Sequence, residues 1–194
     1  AVNKIYFLDD TMSLNPERII NMCKEIIRRN IKMQFDGQGR IKPISREMIY
    51  WMQKAGFKSL YFGIESGSEK ILRSCNKNIT KEEVINTWNI CREFPDLQVE
   101  KCIMVGLPGE TEETVKETIE LIKKIQKIKK SYTNFYASPL WVFPGTEIYN
   151  LAKEKGAITD DYWLTNKPVP FYTVEHSEKW LMKMSNKILI EAMI

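Results

Sequence analysis

Five short stretches collect the residue types that hold small polar molecules. They are Asp9-Asp10-Thr11, Gln38-Gly39-Arg40, Gly63-Ile64-Glu65-Ser66-Gly67-Ser68, Gly106-Leu107-Pro108-Gly109-Glu110-Thr111, and Pro139 to Val142 running into Phe143-Pro144-Gly145-Thr146. Glycine at such points lets the backbone come close to a ligand and offers it N–H and C=O groups, which suits recognition of a planar base and a ribose. A carboxylate such as Glu65 can accept hydrogen bonds from two hydroxyls or from an amine. The acids Asp9, Asp10 and Glu65 would also suit an oxygen-ligand magnesium site for phosphoryl or aldol chemistry in a complete α/β domain. The same residues have plainer uses, the glycines as turn residues and Asp10 and Glu65 as helix caps. Glu110 reads equally as a ligand-facing acid or as the first acid of a helix.

Chemistry that needs histidine or clustered cysteine is hard to build from this chain. His176 is the only histidine, which leaves no second imidazole for a zinc cage. Cys23, Cys75, Cys91 and Cys102 form no CxxC or CxxxCxxC group, and each falls in an apolar periodic stretch where reduced cysteine acts as a small core residue. The 194 residues carry a net charge of +4 with both signs interspersed, so there is no specific nucleic-acid signal. The densest basic run, Lys123 to Lys130, closes a predicted helix, where cations complement the negative end of the dipole. A composition of 43% apolar and 28% charged residues is that of a soluble globular domain. The N-terminus AVNKIYFLDD places a lysine and two aspartates where a secretion signal needs an apolar run, and no membrane span is predicted; the expected compartment is the cytoplasm.

The elements that must position these residues alternate between strand and helix. Strands are predicted at Lys4 to Leu8, Ile31 to Phe35, Lys58 to Ile64, Leu97 to Val105 and Tyr132 to Val142, with Asp36-Gly37-Gln38-Gly39 read as a turn. Asn15 with Pro16, Ser45, and Thr80 with Glu83 mark helix starts, and Gly56 and Gly156 mark helix stops. Further helices are predicted over Glu69 to Cys75, Thr111 to Ile128 and Thr146 to Lys155. An irregular aromatic segment follows from Thr159 to His176, and a last amphipathic helix is capped by Ser177. Repeated strand–helix units demand a parallel sheet covered by helices, either doubly wound or part of a barrel; periodicity does not choose between them. Both architectures put ligand chemistry at the carboxyl ends of the strands, where the five stretches lie.

Taken in order, FGIESGSEKIL followed by Lys77 and Thr80, then IMVGLPGETEETVKETI, then FPGTEIY resemble the radical S-adenosylmethionine enzymes over Ile5 to about Ala157. The strand ending at Asp9-Asp10 looks like that family's second strand, and QGRIKPISREMIYWMQKAGF resembles its third strand and helix. The resemblance therefore implies an α/β fold, a partial (β/α)6 TIM-like barrel over residues 1–176 whose first strand–helix unit is missing, with residues 177–194 as a C-terminal helix packing on or following it. The DD ending, GLPGET, PGTEIY and Asp161-Tyr162-Trp163 most resemble the branch that often carries a cobalamin-binding domain. The methylthiotransferase-like branch shares several of these motifs, so cobalamin use by the parent protein stays open.

The resemblance also implies cofactors and roles. The whole protein would bind S-adenosylmethionine together with a four-iron four-sulfur cluster whose ligands lie outside this chain. It would reduce S-adenosylmethionine to a 5'-deoxyadenosyl radical that abstracts hydrogen from an unspecified substrate; the chain by itself is expected to be inactive. Carried over by position, Asp9 and Asp10 would meet the methionine amino group, Arg40 the carboxylate, and Glu65 and Ser66 the ribose or methionine groups. Met104, Val105 and Gly106 would lie against the adenine edge through backbone groups, with Leu140, Trp141 and Val142 flanking the same base. The missing N-terminal part of the protein would be the natural partner of the open barrel edge, and without it that edge invites self-association. Two other readings stand beside this one, a magnesium-dependent α/β enzyme built on Asp9, Asp10 and Glu65, and a degenerate barrel that only binds a partner. Trp141, Phe143, Tyr162, Trp163 and Phe171 could line a pocket or pack in the core.

Overall fold

The computed structural model describes residues 2–9, 12–130 and 136–193. Strands β1 (Lys4–Phe7), β2 (Gln34–Gly39), β3 (Phe57–Glu65), β4 (Gln98–Val105) and β5 (Tyr136–Pro139) alternate with helices α1 (Pro16–Arg28), α2 (Arg46–Ala55), α3 (Glu69–Ser74), α4 (Lys81–Arg92) and α5 (Glu112–Ile128). Helices α6 (Glu147–Glu154) and α7 (Glu178–Met193) follow β5. Local signals set the helix ends. The Asn15 side chain accepts the Arg18 N–H at 3.0 Å ahead of Pro16, and Gly56 ends α2 at φ +107°, a left-handed conformation that glycine adopts without strain. Thr80 and Glu83 form a reciprocal capping box at the start of α4.

All four strand pairings are parallel, and the sheet runs β1-β2-β3-β4-β5 in chain order. A doubly wound sheet reverses its order at a switch point and carries helices on both faces. Here the order never reverses, and α1 packs on α2, α2 on α4, α4 on α5 and α5 on α7, a single outer layer following the strands. With right-handed crossovers this curls the sheet into part of a barrel. The main core lies between sheet and helices: Leu60, Phe62, Ile64, Val99, Ile103 and Val105 pack outward against residues such as Ile19, Met48, Trp88, Ile122 and Leu181. A smaller cluster around Ile71, Leu107, Leu140, Tyr149 and Tyr172 seats α6 and the segment after β5. Among the described residues no helix is long and apolar enough to cross a membrane.

Two strands differ from their sequence reading. Asp36 to Gly39 is not a turn but the body of β2, shifted from the expected Ile31 to Phe35. Its glycines are there for packing: a side chain at Gly37 would lie 2.8 Å from Met12 Cε, and one at Gly39 would lie 3.0 Å from Phe62 Cε1. The last strand is shorter than Tyr132 to Val142. It ends at Pro139, after which Trp141 makes an isolated antiparallel bridge to Phe171; residues 131–135 lie outside the described part.

The concave face is polar. In register, Tyr6, Asp36, Ser59 and Gln98 form one tier, Gln38, Tyr61 and Glu100 the next, and Gly63, Cys102 and Tyr136 a third. Closed barrels of this type usually fill such tiers with branched aliphatic side chains. Here phenols, amides and acids take these positions, with Asp36 and Glu100 fully buried among them.

Candidate functional site

At the carboxyl ends of β2, β3 and β4 the concave face opens into a groove of about 740 Å³ whose polar lining includes Gln38, Arg40, Glu65 and Lys77, together with Cys102 and Met104. Glu65 is brought there by a strained backbone. The β3–β4 register shifts between Gly63 and Glu65, and Glu65 takes φ +68°, the left-handed region that non-glycine residues rarely occupy. Its Oε1 accepts a hydrogen bond from Lys77 Nζ at 2.7 Å, with both side chains mostly buried. Gly63 makes room for that pair: a Cβ there would stand 2.5 Å from Glu65 Oε1 and 3.2 Å from Lys77 Nζ. The groove thus presents one carboxylate whose second oxygen makes no hydrogen bond among the described residues, and two cationic donors, Lys77 and Arg40, suited to a ligand carrying hydroxyls and a carboxylate.

The neighbouring residues expected from sequence divide by the alternation of a strand. Met104 faces the groove, whereas Val105 is fully buried against the helices and offers only its carbonyl, which accepts the Leu140 N–H at 2.7 Å. Ser66 is fully buried; its hydroxyl lies 3.3 Å from Thr118 Oγ1 on α5 and accepts the Ser68 N–H at 3.1 Å. Leu140 and Val142 pack in the smaller core, while Trp141 between them is exposed, stacked on Phe143, with its indole N–H donated to Ser138 Oγ at 2.9 Å. Tyr162 and Trp163 pack against that smaller core. Gly106, at φ +89°, donates its N–H to Glu110 Oε2 at 2.5 Å and is covered by Leu181. Asp9 is exposed, 3.7 Å from Arg18 Nη2, and Asp10 lies outside the described residues.

Sequence reasoning missed Tyr6, Tyr61 and Tyr136 and gave Lys77 no role in the groove, because each lies inside an element or beyond a strand tip. Cys102 was expected in the core; it sits on the concave face, where burial pushes its thiol up to about 11. Glu110 is neither a groove residue nor an exposed helix acid. It is buried inside the β4–α5 loop, and burial raises its carboxyl to about 7.

The chemistry of these residues does not extend to a metal centre. Among the described residues no group of three or more His, Cys, Asp or Glu could hold a metal ion, and Glu65 is already paired with an ammonium. Neither a magnesium site nor an iron–sulfur cluster fits the side chains that are described.

Parallel strands in chain order, one outer helix layer and a polar groove at the strand carboxyl ends define a partial (β/α) barrel. The family model for the radical SAM superfamily matches residues 1–122, and the chain belongs to that superfamily. It is 29% identical over 189 residues to an uncharacterized methyltransferase of Pyrococcus horikoshii, an alignment covering 94% of this chain and 40% of that one. It is 35% identical over 99 residues to a tRNA-2-methylthio-N(6)-dimethylallyladenosine synthase of a Thermoanaerobacter species, covering 50% of this chain and 21% of that one. The chain therefore spans less than half the length of either relative. In structure it is similar to the radical S-adenosylmethionine methyltransferase TsrM of Kitasatospora setae with cobalamin and a four-iron four-sulfur cluster bound, with TM-score 0.69 and 18% identity over 80% of this chain and 29% of that one. It is similar also to coproporphyrinogen III oxidase of Escherichia coli, with TM-score 0.64 and 15% identity over 97% of this chain and 39% of that one.

Proposed function

We propose that this chain is the S-adenosylmethionine-holding part of a larger radical enzyme, and that it binds that cofactor in the groove at the strand tips. The observation that carries the reading is the convergence of Glu65, Lys77 and Arg40 on one groove in a chain of this family. The second oxygen of the Glu65 carboxylate would accept from a ribose hydroxyl or an ammonium, while Lys77 and Arg40 would meet the methionine carboxylate. Met104 and the backbone at Gly106 would border the base. Bound in the whole protein, S-adenosylmethionine supplies on one-electron reduction a 5'-deoxyadenosyl radical for hydrogen abstraction. The protein's own share is to orient the cofactor and shield it from water. The two relatives, a methyltransferase and a methylthio-adenosine synthase, support a transferase for the whole protein.

Equilibrium dialysis of the 194-residue chain with S-adenosylmethionine tests this. Glu65→Gln and Lys77→Met are each expected to weaken binding about tenfold or more, the scale of losing one hydrogen bond to a charged group. Binding unchanged in both variants would sink the assignment.

A further inference from the structure

Arg40 is the first residue past β2, and two features hold its backbone still. Its N–H donates to Ser13 Oγ at 2.8 Å, and Ile41 after it is buried in the main core. Ser13 belongs to a single 3-10 turn, Met12–Leu14, that lies between β1 and α1 and packs on β2. The glycines of β2 admit that turn: a Cβ at Gly37 would stand 2.8 Å from Met12 Cε, and one at Gly39 would meet Ser13 Oγ at 3.4 Å. Ser13 is 1% exposed and does not line the groove, so whatever it does for a ligand it does through another residue.

The sheet pairing of β2 with β3 ends at Gly39 and Phe62, so the Arg40 N–H has left the ladder. A backbone donor in that position needs another acceptor, and the Ser13 hydroxyl supplies it. The hydrogen bond matters to the side chain as well, because the rotamers open to an arginine depend on how its backbone is set. Lys77, the other cation at the strand tips, is already paired with Glu65, whereas Arg40 makes no ion pair among the described residues. Its guanidinium is therefore available to a carboxylate and is placed chiefly by its own backbone.

We propose that Ser13 is a positioning residue for the cofactor site: by fixing the Arg40 backbone it aims the guanidinium at the carboxylate of S-adenosylmethionine. This role presupposes that the groove holds S-adenosylmethionine. The turn after β1 then sets how the loop after β2 recognises the amino-acid end of the cofactor, while the nucleoside end is left to residues of β3 and β4.

The probes are S-adenosylmethionine and 5'-methylthioadenosine, which keeps the nucleoside and lacks the amino-acid end. Both are measured by equilibrium dialysis against the 194-residue chain. Ser13→Ala is expected to weaken S-adenosylmethionine about fivefold, the scale of one hydrogen bond, and to leave methylthioadenosine unchanged. Arg40→Gln is expected to weaken S-adenosylmethionine about tenfold, and Ser13→Ala added to it should weaken it no further, because the two residues act as one. Ser13→Cys keeps the volume and weakens the acceptor, so it should show the same selective loss even if the alanine variant does not fold. A general loosening of the fold would weaken both ligands alike and would add to Arg40→Gln. Either result would overturn the role of Ser13, as would an unchanged S-adenosylmethionine affinity in the Ser13 variants. Failure of the parent chain to bind S-adenosylmethionine, or its indifference to Glu65→Gln and Lys77→Met, would instead overturn the cofactor site itself and this role with it.

Discussion

Gly67→Ala is expected to destabilise the fold by about 3 kcal/mol and to lower its melting temperature by roughly 6–12 °C. The reason is backbone, not ligand. Gly67 donates its N–H to Thr118 Oγ1 at 2.8 Å, and a Cβ at Gly67 would stand 2.5 Å from Thr118 Cα, 2.8 Å from the Glu117 carbonyl oxygen and 3.0 Å from Thr118 N. A backbone neighbour cannot step aside by changing rotamer. Helix α5 is moreover held by Val115, Ile119, Ile122 and Ile125, all buried in the main core. The loop would have to lift off the helix, taking with it the Ser66–Thr118 contact and the backbone that aims Glu65 at the groove. S-adenosylmethionine binding should therefore fall with stability. Gly109→Ala is the control: its φ of +80° strains an alanine, but nothing lies within 4 Å, so about 1 kcal/mol is expected. Thermal melts of both variants decide the matter. Equal losses would show that the close approach to α5 is not what fixes glycine at position 67.

That glycine illustrates how far the sequence can be read. Short-range signals were legible because their physics is local: Asn15-Pro16, Ser45 with Gly56, and Thr80 with Glu83 each act within one turn of helix, and each does so in the structure. Periodicity did not choose between a barrel and a doubly wound sheet, since that depends on which strands become neighbours across long crossovers; the order of the motifs did, through the family resemblance, and the barrel order is the one observed. Asp36-Gly37-Gln38-Gly39 has the composition of a turn, yet tertiary contacts with Met12 and Phe62 make it a strand. At the site, Arg40, Glu65 and Met104 were visible as strand-tip residues. Consecutive positions cannot all face one groove, however, because side chains alternate. Glu65 and Met104 turn inward, and Ser66 and Val105 turn to the helices. The tyrosines escaped notice for the same reason: in a parallel strand both faces are covered, and nothing in the run from Lys58 to Ile64 distinguishes the inward residue from the outward one.

Between pH 5 and pH 7.5 the chain is expected to lose stability as pH rises, with Glu110 the source. Burial raises its carboxyl from 4.5 to about 7, and the hydrogen bond from Gly106 opposes that rise without cancelling it. A carboxyl raised by folding favours the folded state in its protonated form. The stabilisation is therefore complete below about 4.5, falls away as pH climbs to about 7, and is gone above that; its full size is roughly 3 kcal/mol. Carboxyls held low by cationic neighbours act in the opposite sense and in another window. Glu25 beside Arg28 and Arg29, and Asp160 beside Lys153, withdraw their contributions only as pH falls below the ordinary carboxylate range. Glu110→Gln keeps an oxygen for the Gly106 N–H and removes the ionisation. Urea denaturation at several pH values should give a parent curve that drops with pH and a variant curve that is flatter by the same amount. Every other titrating group is common to both proteins, His176 included, whose Nε2 lies 2.8 Å from the Glu110 carbonyl oxygen, so the difference isolates residue 110. The consequence reaches the groove through Gly106. At pH 8 the parent carries a buried charge beneath the loop that borders it, and the variant should then be the more stable of the two. Parallel curves for parent and variant would mean that Glu110 ionises in the fold as freely as in water, and that its burial is not what ties this loop down.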